Sequence, residues 1–310
     1  MVAVDIYVNE TTRHADVVLP PPSALQKPHY DLALLQLALR NVANWSEPVL
    51  PLDADQPDEW EILARLALIA SGSPETDPAV LDEAAVWGPL AEKLPDDVRE
   101  AVVATGRAGP ARYVDAQLRT GPYGLTLDDL LAAPHGIDLG PLQPRLPEVL
   151  RTPSGKIELV PGPIVADLPR LQAGLQGEHG ERPYLLIGRR DLRSNNSWMH
   201  NVPVLVKGRP RCTMHLHPED AATLSLRDGQ PATVTSRVGS VTVPVEVTDA
   251  IAPGTVSIPH GWGHDRPGSR LRVAAEHAGV NSNRLADETL MDVVTGTAVL
   301  NGIPVTITPG

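Results

Sequence analysis

The sequence predicts a mixed α/β protein in which an incomplete α/β layer and a helical region precede a closed β-barrel or sandwich of short strands. Three patterns carry this reading. Two short apolar runs near the start, Ile6, Tyr7, Val8 and Val17, Val18, Leu19, stop at Pro20, Pro21 and Pro22. Apolar residues then recur with helical period from position 30 to about 131, and from about 183 the period becomes that of strands separated by turns. At 310 residues the chain exceeds the size at which one core stops growing, so more than one lobe is expected.

The first pair of runs reads as strand, loop and strand over 5–19. Short, wholly apolar runs closed by proline suit buried parallel strands, and two of them do not make a sheet alone. Their neighbours are expected from residues outside this sequence or from another chain. In the helical region Asp58 and Glu61 have capping-box spacing, Leu63, Leu66, Ala67 and Ala70 form one i, i+3, i+4, i+7 stripe, and Gly72 stands where a C-terminal cap belongs. Asp31 heads a Leu-rich helix through Arg40, and Thr126 with Asp129 starts another through Leu131. The Pro-rich stretch 47–51 reads as a connection held by packing.

Beyond position 183 the strand candidates are 184–187, 233–235, 241–247, 255–258 and 304–308. They are divided by turns at Asp228-Gly229, Val238-Gly239-Ser240, Pro253-Gly254 and Asn301-Gly302. Pro218 opens a short helix through Leu224. The Gly-rich polar stretch 172–181 is the expected boundary, giving segments 1–171, 172–181 as linker, and 182–310.

Composition excludes several classes. A net charge of −12 opposes general nucleic-acid binding, which rests on Lys and Arg neutralising phosphates. With Cys212 alone the chain can build neither an internal disulfide nor a cysteine cage for zinc or iron-sulfur. No apolar stretch approaches the roughly 20 residues that cross a bilayer, so no direct membrane insertion is expected; the expected compartment is cytoplasmic, any export signal belonging to a portion outside this sequence. With no Phe, the cores must be filled by Leu, Val, Ile and Ala.

Three apparent motifs lack the residues their chemistry needs. Gly155-Lys156 lacks the rest of a phosphate-binding loop, because Leu150 stands where the first Gly belongs and Ile157 replaces Ser or Thr. His260 and His264, at i and i+4, have no nearby third ligand of the kind zinc requires, and the same holds for His215 and His217. Cys212, ahead of an alternating strand, reads as a buried small hydrophobe.

The run Arg151-Thr-Pro-Ser-Gly-Lys-Ile-Glu-Leu159, the segment 188–201, Pro259-His260-Gly261-Trp262-Gly263-His264 and Asn281-Ser-Asn283-Arg-Leu285 together resemble the carboxy-terminal part of molybdopterin-dependent oxidoreductases of the dimethyl sulfoxide reductase and formate dehydrogenase family. The resemblance runs over essentially the whole chain. It implies that the last region is a double-psi β-barrel that clamps the guanine dinucleotide of the pterin cofactor, with His217-Pro-Glu-Asp-Ala-Ala222 as its helix. It further implies contacts to that cofactor from Gly188, Arg189, Asn195, Asn196, Ser197 and His200, from His260 and Trp262, and from Asn281 and Asn283. These residue types suit the ligand: Asn amides match the donor and acceptor edge of a pterin, and Arg with backbone N–H suits a pyrophosphate.

On this resemblance the chain carries no catalytic residue and no metal ligand of its own. The expected cofactor is molybdopterin guanine dinucleotide with Mo or W, shared with an amino-terminal portion or subunit that supplies the metal ligand, the iron-sulfur ligands and the substrate funnel. The implied activity is formate dehydrogenase- or nitrate reductase-like, and the chain alone is expected to be inactive. The rival reading is a noncatalytic double-psi barrel serving as a binding or scaffold module, or a truncated remnant.

Overall fold

A computed structural model describes residues 1–73, 77–176 and 183–310. They fall into two units, one made of Met1, Tyr7–Asp16 and Arg151–Gly310, the other of Val2–Ile6 and Val17–Leu150. The barrel's unit thus takes in residues 7–16 and 151–171 as well as the described segment from 183. Of the expected linker, 172–175 end a helix, Leu168–Leu175, and 177–181 lie outside the described residues.

In the second unit β1 (Val2–Val4) and β2 (Val17–Leu19) pair in parallel, Val2 opposite Val17. The first strand therefore lies before Ile6-Tyr7-Val8, which bends instead, and Ile6 is 65% exposed. Backbone pairing decides this shift. Asp5 N–H already donates to Leu19 O at 3.3 Å, so the chain turns away where the register with β2 is used up.

The helix expected from Asp31 to Arg40 does not form. Asp31 does accept from the N–H groups of Ala33 and Leu34, at 3.0 and 2.7 Å, but only a 3₁₀ turn, Leu35–Leu37, follows. The chain then extends as β3 (Arg40–Ala43), antiparallel to β4 (Ile137–Pro141). Leu32, Leu34, Leu37 and Leu39 stay exposed, and without a face to bury a short helix gains too little packing to offset nucleation.

Glu59–Ala70 is a helix with the predicted reciprocal capping box of Asp58 and Glu61. It closes as a Schellman motif, Ser73 N to Leu68 O and Gly72 N to Ile69 O, both 3.0 Å, around Gly72 at φ +73°. The buried face is nevertheless not the predicted stripe. Ile62, Ala64 and Leu68 are buried while Leu63 is 55% exposed. Positions 62–64 and 66–70 are all apolar, so periodicity defines a helix without choosing its inner face. Leu127–Leu131 is a helix with the Thr126 and Asp129 box, and its Leu127 and Leu130 join Ala43, Trp45 and Val114 in one cluster. The 47–51 connection is held by Val49 and Leu50 N–H donating to Leu25 O.

The first unit is built on a closed double-psi barrel. Its strands are β5 (Tyr184–Arg189), β6 (Met214–Leu216), β7 (Pro231–Thr235), β8 (Ser240–Val247), β9 (Thr255–Pro259) and β10 (Ile303–Pro309), in the order β10-β5-β9-β6-β8-β7. β5 with β9 and β6 with β8 are parallel, and the remaining neighbours antiparallel. Closure leaves no strand edge unpaired. Alternation sets the faces: Val241, Val243 and Val245 point inward from β8 and Ile303, Val305 and Ile307 from β10, while Thr242 and Thr306 sit outside. Each such side chain, fully buried, contributes about 1.5–3 kcal/mol. Cys212 is in this core with its thiol pushed up by burial, as the reading of a small hydrophobe requires.

Candidate functional site

Three loops meet at the carboxyl ends of the parallel pair β5 and β9. One continues β5 from Arg189 through Asn201, one continues β9 from His260 to His264, and the third is a 3₁₀ turn, Ser282–Leu285, introduced by Asn281. Two adjoining hollows result. A cavity of about 260 Å³ is lined by Gly188, Arg190, His260, Ser282, Asn283 and Asn301 among others. A second, of about 500 Å³, lies between Arg190, Arg193, Asn195, Asn196 and Leu205. Arg190 borders both.

The rim is held by hydrogen bonds among the same residues. His260 contacts Asn196 Oδ1 through Nε2 at 2.8 Å and Arg189 O through Nδ1 at 3.0 Å. Arg190 Nη1 donates to Asn196 Oδ1 at 3.3 Å, and Gly188 N–H donates to Asn301 Oδ1 at 2.8 Å. Asn195 and Asn196 adopt left-handed backbone, φ 42° and 63°, which Asn tolerates better than most residues. Asn281 Oδ1 accepts from Asn283 N–H at 3.0 Å and so shapes the turn, while the Asn283 side chain is exposed and borders the smaller cavity.

Arg189 behaves otherwise. Its guanidinium turns back across the barrel wall and donates to Ser257 O at 3.1 Å and Thr213 O at 2.9 Å, half-buried, where desolvation lowers its pKa. Its neighbour Arg190 is the one that reaches the cavities. Of the residues expected in the site, Gly188, Asn195, Asn196, His260 and Asn283 line the two hollows; Ser197 lies exposed in the same loop and Asn281 at its edge. His200 and Trp262 are buried behind the rim, their rings 4.0 Å apart. Arg190, Ser282 and Asn301 were not singled out from sequence. Asn301 was visible only as half of a turn dipeptide.

His200 is 2% exposed and its Nδ1 lies 2.6 Å from His264 Nε2, while His264 Nδ1 contacts Glu10 Oε1 at 3.0 Å. Burial, and after it the neighbouring His264, pushes His200 down from 6.5 to about 4. A histidine depressed in the folded state lends stability that is complete above its unfolded pKa and is lost as pH falls from about 6.5 through about 4, here on the order of 3 kcal/mol. Urea unfolding compared at pH 7.5 and 4.5 should show that loss, and His200→Gln should flatten it.

The two histidines weighed as a metal pair point apart, His260 to the rim and His264 to the interior. His217 has left the strand that holds His215 and caps Pro218–Thr223 by accepting from Glu219 N–H at 3.2 Å. Among the described residues no group of three or more His, Cys, Asp or Glu is placed to hold a metal ion. Nor is any described helix long and apolar enough to cross a membrane.

The strand ends of this double-psi barrel carry arginines, asparagines and exposed backbone, donors and acceptors that suit a polar ligand. Residues 184–304 match the family described as Molydopterin dinucleotide binding domain. The chain is 27% identical over 128 residues to a tetrathionate reductase subunit of Salmonella typhimurium, an alignment covering 34% of this chain and 12% of that protein. The structure resembles acetylene hydratase from Pelobacter acetylenicus with TM-score 0.64 at 20% identity, over 100% of this chain and 40% of that one. The chain thus spans less than half the length of either. Over residues 184–304 the chain is therefore similar to a molybdopterin dinucleotide-binding domain.

The residues present fit a molybdopterin-type cofactor. Gly261, at φ +86°, brings the β9 loop so close that an added Cβ would lie 2.2 Å from Asn196 O, which keeps the loop backbones flush along the mouth. Beside them the Arg190 guanidinium and the Asn amides supply the donors that a pyrophosphate and a heterocyclic edge accept.

Proposed function

We propose that this chain is the carboxy-terminal, cofactor-holding portion of a molybdenum- or tungsten-dependent oxidoreductase that uses bis(molybdopterin guanine dinucleotide), of the formate dehydrogenase- or nitrate reductase-like kind. The observation that carries the reading is the pair of cavities joined at Arg190. Arg190 and the nearby backbone N–H groups would hold the pyrophosphate, and Asn196, His260, Asn283 and Asn301 the ring edges. The cofactor supplies the redox chemistry when bound, and these residues bind and orient it.

The chain would work with an amino-terminal portion or subunit of the same oxidoreductase. Supporting this, Leu192 and Trp198, in the loop that frames the site, are 98% and 75% exposed, and large apolar side chains so placed suit an interface. Co-expression with the chain encoded upstream, followed by extraction and fluorescence of the oxidised pterin, tests the binding. Dye reduction with formate, or oxidation of a reduced dye with nitrate, tests the activity. Arg190→Ala should lower pterin retention by roughly tenfold or more, the worth of one charge-assisted contact. A complex without pterin would sink the proposal in favour of a noncatalytic scaffold.

A further inference from the structure

The loop that carries Asn195 and Asn196 is attached to the β9 loop at two depths. Outside, His260 reaches Asn196. Inside, nearly closed to solvent, His200 reaches His264, and His264 reaches the partly exposed Glu10, which lies 254 positions earlier in the chain. Glu10 belongs to the segment Tyr7–Asp16, itself tied to the barrel's unit by Arg13 Nη1 donating to Pro267 O at 2.6 Å and by Arg270 N–H donating to Val8 O at 2.7 Å.

Donor and acceptor chemistry orders the protons along this line. An ionised carboxylate only accepts, so the His264 proton facing Glu10 is on Nδ1. With that single proton on Nδ1, His264 presents a lone pair at Nε2, to which His200 donates from Nδ1 across the 2.6 Å contact. The Nε2 of His200 is buried and makes no hydrogen bond of ordinary geometry among the described residues. The charged and polar groups facing His200 are Glu10, His264, Asp191 and the backbone of Gly261.

We propose that Glu10 is a positioning residue that, through a proton-ordered Glu10–His264–His200 relay, locks the loop bearing Asn195 and Asn196 against the β9 loop and holds His200 in its Nδ1–H tautomer. This goes beyond cofactor binding and stands whether or not a pterin occupies the cavities. Asn201 adds a second fastening on the far side, its Oδ1 accepting from Val273 and Ala274 N–H at 3.0 and 3.2 Å. The loop is thereby fixed at both ends of its last turn.

The test is ¹⁵N NMR of the histidine rings in the full chain without cofactor, so that its failure is separate from failure of the functional reading. In slightly alkaline buffer both His200 and His264 should show a protonated Nδ1 and an unprotonated Nε2. Observation of His200 as the Nε2–H tautomer, or of both rings averaging between tautomers, overturns the proposal without any variant. In Glu10→Gln, which keeps the shape and removes the charge, the two rings should lose their fixed tautomer and amides of 194–201 should exchange at least about tenfold faster. Unchanged rings and unchanged exchange in Glu10→Gln also overturn it.

Discussion

Replacing Gly261 by valine is expected to cause the largest loss of stability of any single change at the site. Gly261 sits at φ +86°, where a β-branched residue is strained, and its Cβ would fall 2.2 Å from Asn196 O and 2.6 Å from Asn196 C. Those are backbone atoms of a loop fastened on both sides, by His260 to Asn196 and by His200 to His264, so they cannot swing aside as a flexible side chain would. Backbone strain of about 1–3 kcal/mol adds to overpacking of about 1–3 kcal/mol. A loss near 4 kcal/mol lowers the melting temperature of a unit this size by roughly 10 °C. Circular dichroism melting reads it directly, and a shift under about 3 °C would show that the two loops are not packed as described.

Leu285→Ala is the second large effect. Leu285 ends the 3₁₀ turn that carries Asn283, and it is 0% exposed within the barrel core beside Val241 and Ile303. Removing three carbons there leaves a void in a region closed by six strands, which can collapse only in part, and the cost is about 3 kcal/mol. The turn also loses its anchor, so Asn283 should no longer hold its place on the cavity wall and pterin retention should fall together with stability. Leu285→Met conserves volume and should cost under about 1.5 kcal/mol. Urea unfolding of the two variants separates these outcomes; equal midpoints would refute the anchoring role.

Much of the barrel was legible because its signal is local. Alternation in 241–247 and 304–308 sets which face of each strand is inward, and Gly turns mark where strands stop. The capping boxes at Asp58 and Thr126 were legible for the same reason, since partners three residues apart meet in any helix. β6 was harder, with three residues only, and was visible mainly as the alternating stretch after Cys212. The failures share another cause. Asp31 makes the local bonds of a helix start, yet the following leucines find nothing to bury against, so the helix is not propagated.

At the candidate site the sequence marks loops that the structure brings together around the cavities, but not the direction of each side chain. Arg189 closes β5 and its guanidinium lies across the barrel wall, while Arg190, the first residue of the following loop, borders the cavities. Asn301 enters the site from 113 positions beyond Gly188, and Glu10 reaches His264 from 254 positions before it. By itself, then, the sequence determined that the chain ends in a barrel of short alternating strands with amide- and arginine-rich loops, because period, caps and turns act between near neighbours. Only the tertiary structure decided that residues 7–16 join the barrel's unit, which arginine faces the cavities and which histidines are interior. Such contacts arise from chain closure over long separations, and no local propensity encodes them.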